Sequence, residues 1–145
     1  MLDKEFVRQK QSLLIKYMDE LEPLVGCSLD EYRADYVKRH AAEKLIELVV
    51  EYATDINRHI IESAGQAPPQ TYYGTFEEMG KLEIIPGDLA ARLGSTTGLR
   101  NRLVHGYEKV SDDIVYHSLR PLLRNYKRYV ALIDDYLTKQ LLGEG

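Results

Sequence analysis

Apolar residues recur at intervals of three and four along most of the chain, which is the period of amphipathic helices rather than of strands. From Phe6, the series Leu13, Leu14, Tyr17, Met18, Leu21 and Leu24 predicts a first helix that ends at Gly26. Ser28-Leu29-Asp30-Glu31 then has the form of a capping box, in which hydroxyl and carboxylate satisfy the orphan amides of a helix start. It predicts a second, long helix through Leu45, Val49, Tyr52, Ile56 and Ile60, stopping near Gly65 and Pro68-Pro69. Residues 65–87 are dense in breakers (Gly65, Pro68, Pro69, Gly74, Gly80, Pro86, Gly87) and predict a connector with one short helical turn from Thr75, tacked onto the core by Tyr72, Tyr73 and Phe76.

A third main helix is predicted from about Pro86 to Val104, with Leu89, Leu93, Leu99 and Leu103 as its apolar side and Gly106 as its stop. Ser111-Asp112-Asp113 caps a last helix carrying Leu119, Leu122, Tyr126, Val130, Ile133 and Leu137, which Pro121 is expected to kink or split. No segment alternates apolar and polar residues as a strand does, and there is no internal repeat. The expected fold is all-α, a four- to five-helix up-and-down bundle in one domain spanning residues 1–145.

Composition narrows the function only by exclusion. With 44% apolar residues, the 145-residue chain can bury one continuous core. Nineteen Lys and Arg against 23 Asp and Glu leave no general attraction to a polyanion, so nucleic-acid binding needs a local basic patch. Arg120, Arg124, Lys127 and Arg128 supply one, because their spacing gathers them on one side of the last helix as a candidate RNA-binding stripe. Otherwise they form a solvated surface. The charged start lacks the apolar stretch of a signal peptide, and Leu45 to Val50 is far too short to span a bilayer, so a cytoplasmic protein with no membrane partner is expected. Cys27 has no partner for a disulfide or a thiol zinc cluster and reads as a small apolar residue at a helix junction. No His-Glu-x-x-His, phosphate-binding loop, Gly-x-Gly-x-x-Gly or Gly-x-Ser-x-Gly occurs, so neither a metal nor a cofactor is expected. Arg39-His40 and Arg58-His59 either point into a cleft or bracket the core.

The third main helix carries the chemistry. At about 100° per residue, Gly94, Gly98, Asn101 and His105 share one face roughly 60° wide. Two glycines there cost about 1 kcal/mol each in helix propensity, which close approach of something else would offset. That something is a neighbouring helix of the same chain, a second helix from elsewhere, or an RNA backbone. Arg100 lies about 140° from His105 on a regular helix, so the two do not converge within one straight helix. Either the helix unwinds at Val104-His105-Gly106, or the pair is assembled across a two-fold axis from two copies of the chain.

Arg100, four intervening residues, His105, one residue and Tyr107 match the Arg-x4-His-x-Tyr signature of the HepT toxins of the HEPN superfamily. Gly98-Leu99-Arg100-Asn101 and Leu103-Val104-His105-Gly106-Tyr107 resemble that family's wording, and the helix order resembles it over nearly the entire chain. The resemblance implies a metal-independent endoribonuclease, the toxin of a toxin–antitoxin pair, that works as a homodimer on RNA, with transfer RNA as the expected substrate. Arg100 and His105 are then the catalytic pair, with Asn101 and Arg102 supporting. Tyr107 is the implied site where a cognate minimal nucleotidyltransferase antitoxin attaches AMP. The competing reading is a non-catalytic helical subunit that binds and presents substrate to a nucleotidyltransferase, which net acidity slightly favours.

Overall fold

The structure is a computed structural model in which residues 1–106 and 109–144 are described. The described residues form helices and no strand: α1 (Lys4–Gly26), α2 (Leu29–Ala34), α3 (Tyr36–Ser63), α4 (Tyr72–Lys81), α5 (Gly87–His105) and α6 (Asp112–Glu144). The all-α expectation holds, with six helical segments in place of four or five. Each departure has a local cause.

The predicted second helix is broken into α2 and α3 at Asp35. That residue is extended, with φ −117° and ψ 103°, and its carboxylate accepts the amides of Val37 and Lys38, so it starts a new helix. Apolar periodicity runs through the break and therefore does not reveal it. The expected capping box of Ser28 and Glu31 is present at the start of α2. The connector is more helical than its glycines suggest, because two of them are there for space rather than for flexibility. A Cβ at Gly74 would lie 2.7 Å from Pro69 Cβ, and one at Gly80 would lie 2.9 Å from Ala90 Cβ on α5. Thr71 caps the resulting α4 by accepting from Gly74 N. Helix α6 runs through Pro121 as one helix. A mid-helix proline costs about 3 kcal/mol, and burial of Leu119, Leu122, Leu123 and Tyr126 around it offsets that cost.

Helices α1 and α3 pack along each other, α6 lies against α1 and α5, and α4 is wedged between α3 and α5. Val7, Leu14, Leu21, Ile46, Val49, Ile56, Ile60, Phe76, Met79, Leu93, Tyr129 and Ile133 meet in the core with no exposure. A buried polar chain crosses it. Tyr129 Oη donates to Asn57 Oδ1 at 2.6 Å, Asn57 Nδ2 donates to Thr75 Oγ1 at 3.2 Å, and Thr75 Oγ1 donates to the Tyr72 carbonyl at 2.8 Å. Burial pushes the Tyr129 hydroxyl well above its ordinary range, so it stays a donor. The chain ties α6 through α3 to the first turn of α4. Thr75→Val keeps the shape but strands Asn57 Nδ2, and is expected to lower stability by about 1–3 kcal/mol in urea titration; an unchanged midpoint would mean that the chain contributes nothing.

Cys27 sits half-buried at the α1–α2 junction with its thiol directed to the Leu24 carbonyl at 3.1 Å, a packing role. No helix among the described residues is long and apolar enough to cross a membrane.

Candidate active site on helix α5

Helix α5 begins in the core and leaves it. Leu89, Ala90, Leu93, Gly94 and Thr97 are buried, whereas Gly98, Asn101, Arg102, Val104 and His105 are exposed and Arg100 is half-buried. Its last turns thus carry polar groups that packing does not require. The helix stays regular through His105, and the Gly106 amide closes it on the Arg102 carbonyl at 2.9 Å. Unwinding at Val104-His105-Gly106, one of the two ways to bring Arg100 and His105 together, is therefore not seen as far as Gly106. On a regular helix the two side chains diverge by about 140°.

Arg100 is held by its flat face. Its guanidinium carbon lies 4.4 Å from the centre of the Tyr72 ring, in cation–π geometry. Nη1 donates to Asn101 Oδ1 at 3.2 Å, Nε is buried without an acceptor, and no carboxylate among the described residues pairs with the charge. Tyr72 is in turn fixed by the buried chain from Tyr129 through Asn57 and Thr75. Asn101 serves Arg100 in this arrangement, and no hydrogen bond joins it to His105. His105 is exposed in the last turn beside Arg102, where the partial negative charge of a helix end favours cations. Tyr107 lies outside the described residues.

The two glycines of the small-residue face differ in their surroundings. At Gly94 a Cβ would meet Tyr73 of α4 at 3.0 Å, which is packing within the chain; at Gly98 it would meet nothing within 4 Å. Gly98 opens onto a groove of about 830 Å³ between α5 and α6, whose lining includes Leu99, Ile114 and Leu122 together with Arg92, Arg102 and Arg124. Arg102 and Arg124 have no acidic partner among the described residues.

The α6 stripe is split across the width of its helix face. Arg120 donates to the Val25 carbonyl at 3.5 Å and Lys127 pairs with Glu22, both toward α1; Arg128 pairs with Asp88 at 3.2 Å, on the α5 side. That leaves Arg124 facing the groove. Four residues spread over about 100° of helix are close enough to share a stripe and far enough apart to meet different neighbours. Of the other candidates, His59 accepts the Asp3 amide at 2.8 Å and stacks near Phe6, which brackets the core, and His40 is exposed beside Tyr36 and Glu43. No cluster of three or more His, Cys, Asp or Glu with metal-holding geometry occurs among the described residues. Sequence reasoning missed the Tyr72 platform, because a tyrosine in a Pro/Gly-rich connector has no spacing relation to an arginine on α5.

Residues 14–133 match the family described as Ribonuclease HepT-like. The chain is 31% identical to the tRNA nuclease HepT of Aphanizomenon flos-aquae over 136 residues, covering 94% of this chain and 92% of that protein. It is 24% identical to the mRNA nuclease HepT of Shewanella oneidensis, over 71% of this chain and 77% of the relative. Among solved structures, the fold is similar to a tri-AMPylated Shewanella oneidensis HEPN toxin in complex with an MNT antitoxin, with a TM-score of 0.82 at 21% identity over 90% of this chain and 97% of that one.

Proposed function

Because the chain belongs to the ribonuclease HepT-like family and is by that membership a ribonuclease, we propose that it is the toxin of a toxin–antitoxin pair, cutting RNA by metal-independent transesterification with Arg100 and His105. The supporting observation is that α5 delivers an arginine with no carboxylate partner among the described residues, stacked on Tyr72, and one exposed histidine within the same two turns. In the reaction His105 takes the proton of a ribose 2′-hydroxyl, the 2′-oxygen attacks the adjoining phosphorus, and the P–O5′ bond breaks. The His105 imidazolium so formed returns the proton to the leaving 5′-oxygen, directly or through water, which gives a 2′,3′-cyclic phosphate and a 5′-hydroxyl. Arg100 meets the extra negative charge of the pentacoordinate transition state with a planar fork of donors.

Regular α5 geometry favours assembly from two copies, Arg100 of one reaching the cleft of His105 of the other. The seam then takes in both the face of α5 that Gly98 shares with His105 and the Arg100 side about 160° from Gly98, with the apolar groove residues Leu99, Ile114 and Leu122 as part of its contact and Arg102 and Arg124 left to hold RNA phosphates. Transfer RNA is the substrate, as for the similar tRNA nuclease HepT of Aphanizomenon flos-aquae. A nucleotidyltransferase partner silences the enzyme by attaching AMP to Tyr107, adding charge and bulk one residue beyond Gly106.

Gly98→Ala tests the seam. With no atom in its way, the methyl is expected to stabilise the folded chain by about 0.5–1 kcal/mol through helix propensity, read in urea, while weakening dimerisation in sedimentation velocity. An undisturbed dimer would remove the second copy from this face. The reaction itself is tested by incubating the purified chain with total transfer RNA in EDTA and labelling the fragments. New ends that polynucleotide kinase labels without prior phosphatase treatment are expected; cleavage lost to EDTA, or ends blocked by a 5′-phosphate, would overturn the chemistry.

A further inference from the structure

Arg58, on α3, shares the Tyr72 ring with Arg100. Its guanidinium carbon lies 5.1 Å from the ring centre, against 4.4 Å for Arg100. Both cations therefore sit within roughly 10 Å of each other, about the screening length at 0.1 M salt, and they repel. Nothing acidic relieves them: Arg58 donates from Nη2 to the Gln70 carbonyl at 3.1 Å, Arg100 donates to Asn101, and neither pairs with a carboxylate among the described residues. The repulsion is held in place by rigid parts. Asn57, next to Arg58, is fully buried and bonds through Thr75 to the Tyr72 backbone, so α3 and α4 present ring and guanidinium as one unit. Two partly buried guanidiniums fixed over one ring, with spare donors and no counter-charge, form a site for an anion.

We propose that Arg58 is a substrate-binding residue, which together with Arg100 grips the phosphodiester backbone of a single-stranded RNA segment across the Tyr72 ring. The identity of the anion rests on the ribonuclease reading; the two-cation site rests on the geometry. Arg58 acts in ground-state binding. Its loss is expected to raise KM with little change in kcat, whereas Arg100 acts on the transition state.

The test is fluorescence anisotropy of a labelled 2′-O-methyl RNA oligonucleotide, which cannot be cleaved, across a series of salt concentrations. Arg58→Gln and Arg58→Met both remove the charge, and the second keeps an apolar stem over the ring so that a folded neutral form is available. Expected are binding about 3- to 10-fold weaker and a plot of log affinity against log salt that is shallower by about 0.7, one single-strand phosphate contact; Arg58→Lys should restore the slope. A merely structural Arg58 would shift melting without touching the salt slope. Equal affinity and slope in the folded neutral variants would overturn the proposal, as would absence of binding by the wild type. Salt-sensitive binding that depends on Arg58, in a protein that leaves transfer RNA intact, would sink the ribonuclease chemistry alone.

Discussion

His105→Ala is expected to slow RNA cleavage by about 10²–10⁴-fold, the range for removing a positioned general acid or base. Arg100→Ala should cost about 10²–10³-fold, as for one donor aimed at developing charge. The reasons differ. His105 is exposed in the last turn of α5 and packs no core, so its alanine variant should melt like the wild type and lose only the proton transfer. Arg100 is half-buried on the Tyr72 ring, so its alanine variant should also lose a little stability, about 0.5–2 kcal/mol of cation–π contact. Arg100→Lys separates the two effects: it keeps the charge but not the planar fork, and should remain strongly impaired. Initial rates on transfer RNA in EDTA, beside thermal melts, check all three. A His105→Ala protein that still cleaves would remove the histidine from the mechanism.

Mixing the two inactive variants is expected to bring activity back to about a quarter of the wild-type level. This follows from counting sites in a two-fold dimer. If each site takes Arg100 from one copy and His105 from the other, a mixed dimer of Arg100→Ala and His105→Ala chains has one site lacking both residues and one intact. Random exchange makes about half of all dimers mixed, and half of their sites work. Were both residues of a site to come from one chain, every site in the mixture would lack one of them and no activity would return. The regular course of α5 as far as Gly106, with Arg100 turned onto Tyr72 of α4, is the reason to expect recovery. Subunits unfolded and refolded together, then assayed against each variant alone, give the answer directly.

Much of the fold was legible because helix formation and burial are local and periodic. The Leu14, Met18, Leu21 series of α1 and the Leu119, Leu122, Tyr126, Ile133, Leu137 series of α6 each mark a face that has to be buried, and each is buried. The capping box at Ser28 is a three-residue hydrogen-bond pattern and was equally readable. The failures came where one residue type serves opposite purposes. Gly74 and Gly80 were read as breakers, yet Pro69 and Ala90 leave no room for a Cβ inside a helix there. The segment from Ser28 to Gly65 was expected to be one long helix, yet the Asp35 carboxylate takes two amides and splits it. Of the two outcomes expected at Pro121, division of α6 does not occur, because the apolar residues around it outweigh its missing amide.

By itself, then, the sequence determined that the chain is all-α, where most helices start and stop, and that Arg100 and His105 fall within the last two turns of one of them, since each of these is a matter of spacing along the chain. Only the tertiary structure decided that Gly94 is closed by Tyr73 while Gly98 stays open, that the α6 cations divide between ion pairs and a groove, and that Arg58 and Arg100 meet over Tyr72. Those contacts join α3, α4, α5 and α6 across the bundle. Their energies depend on distances between residues far apart in the chain, which no local spacing encodes.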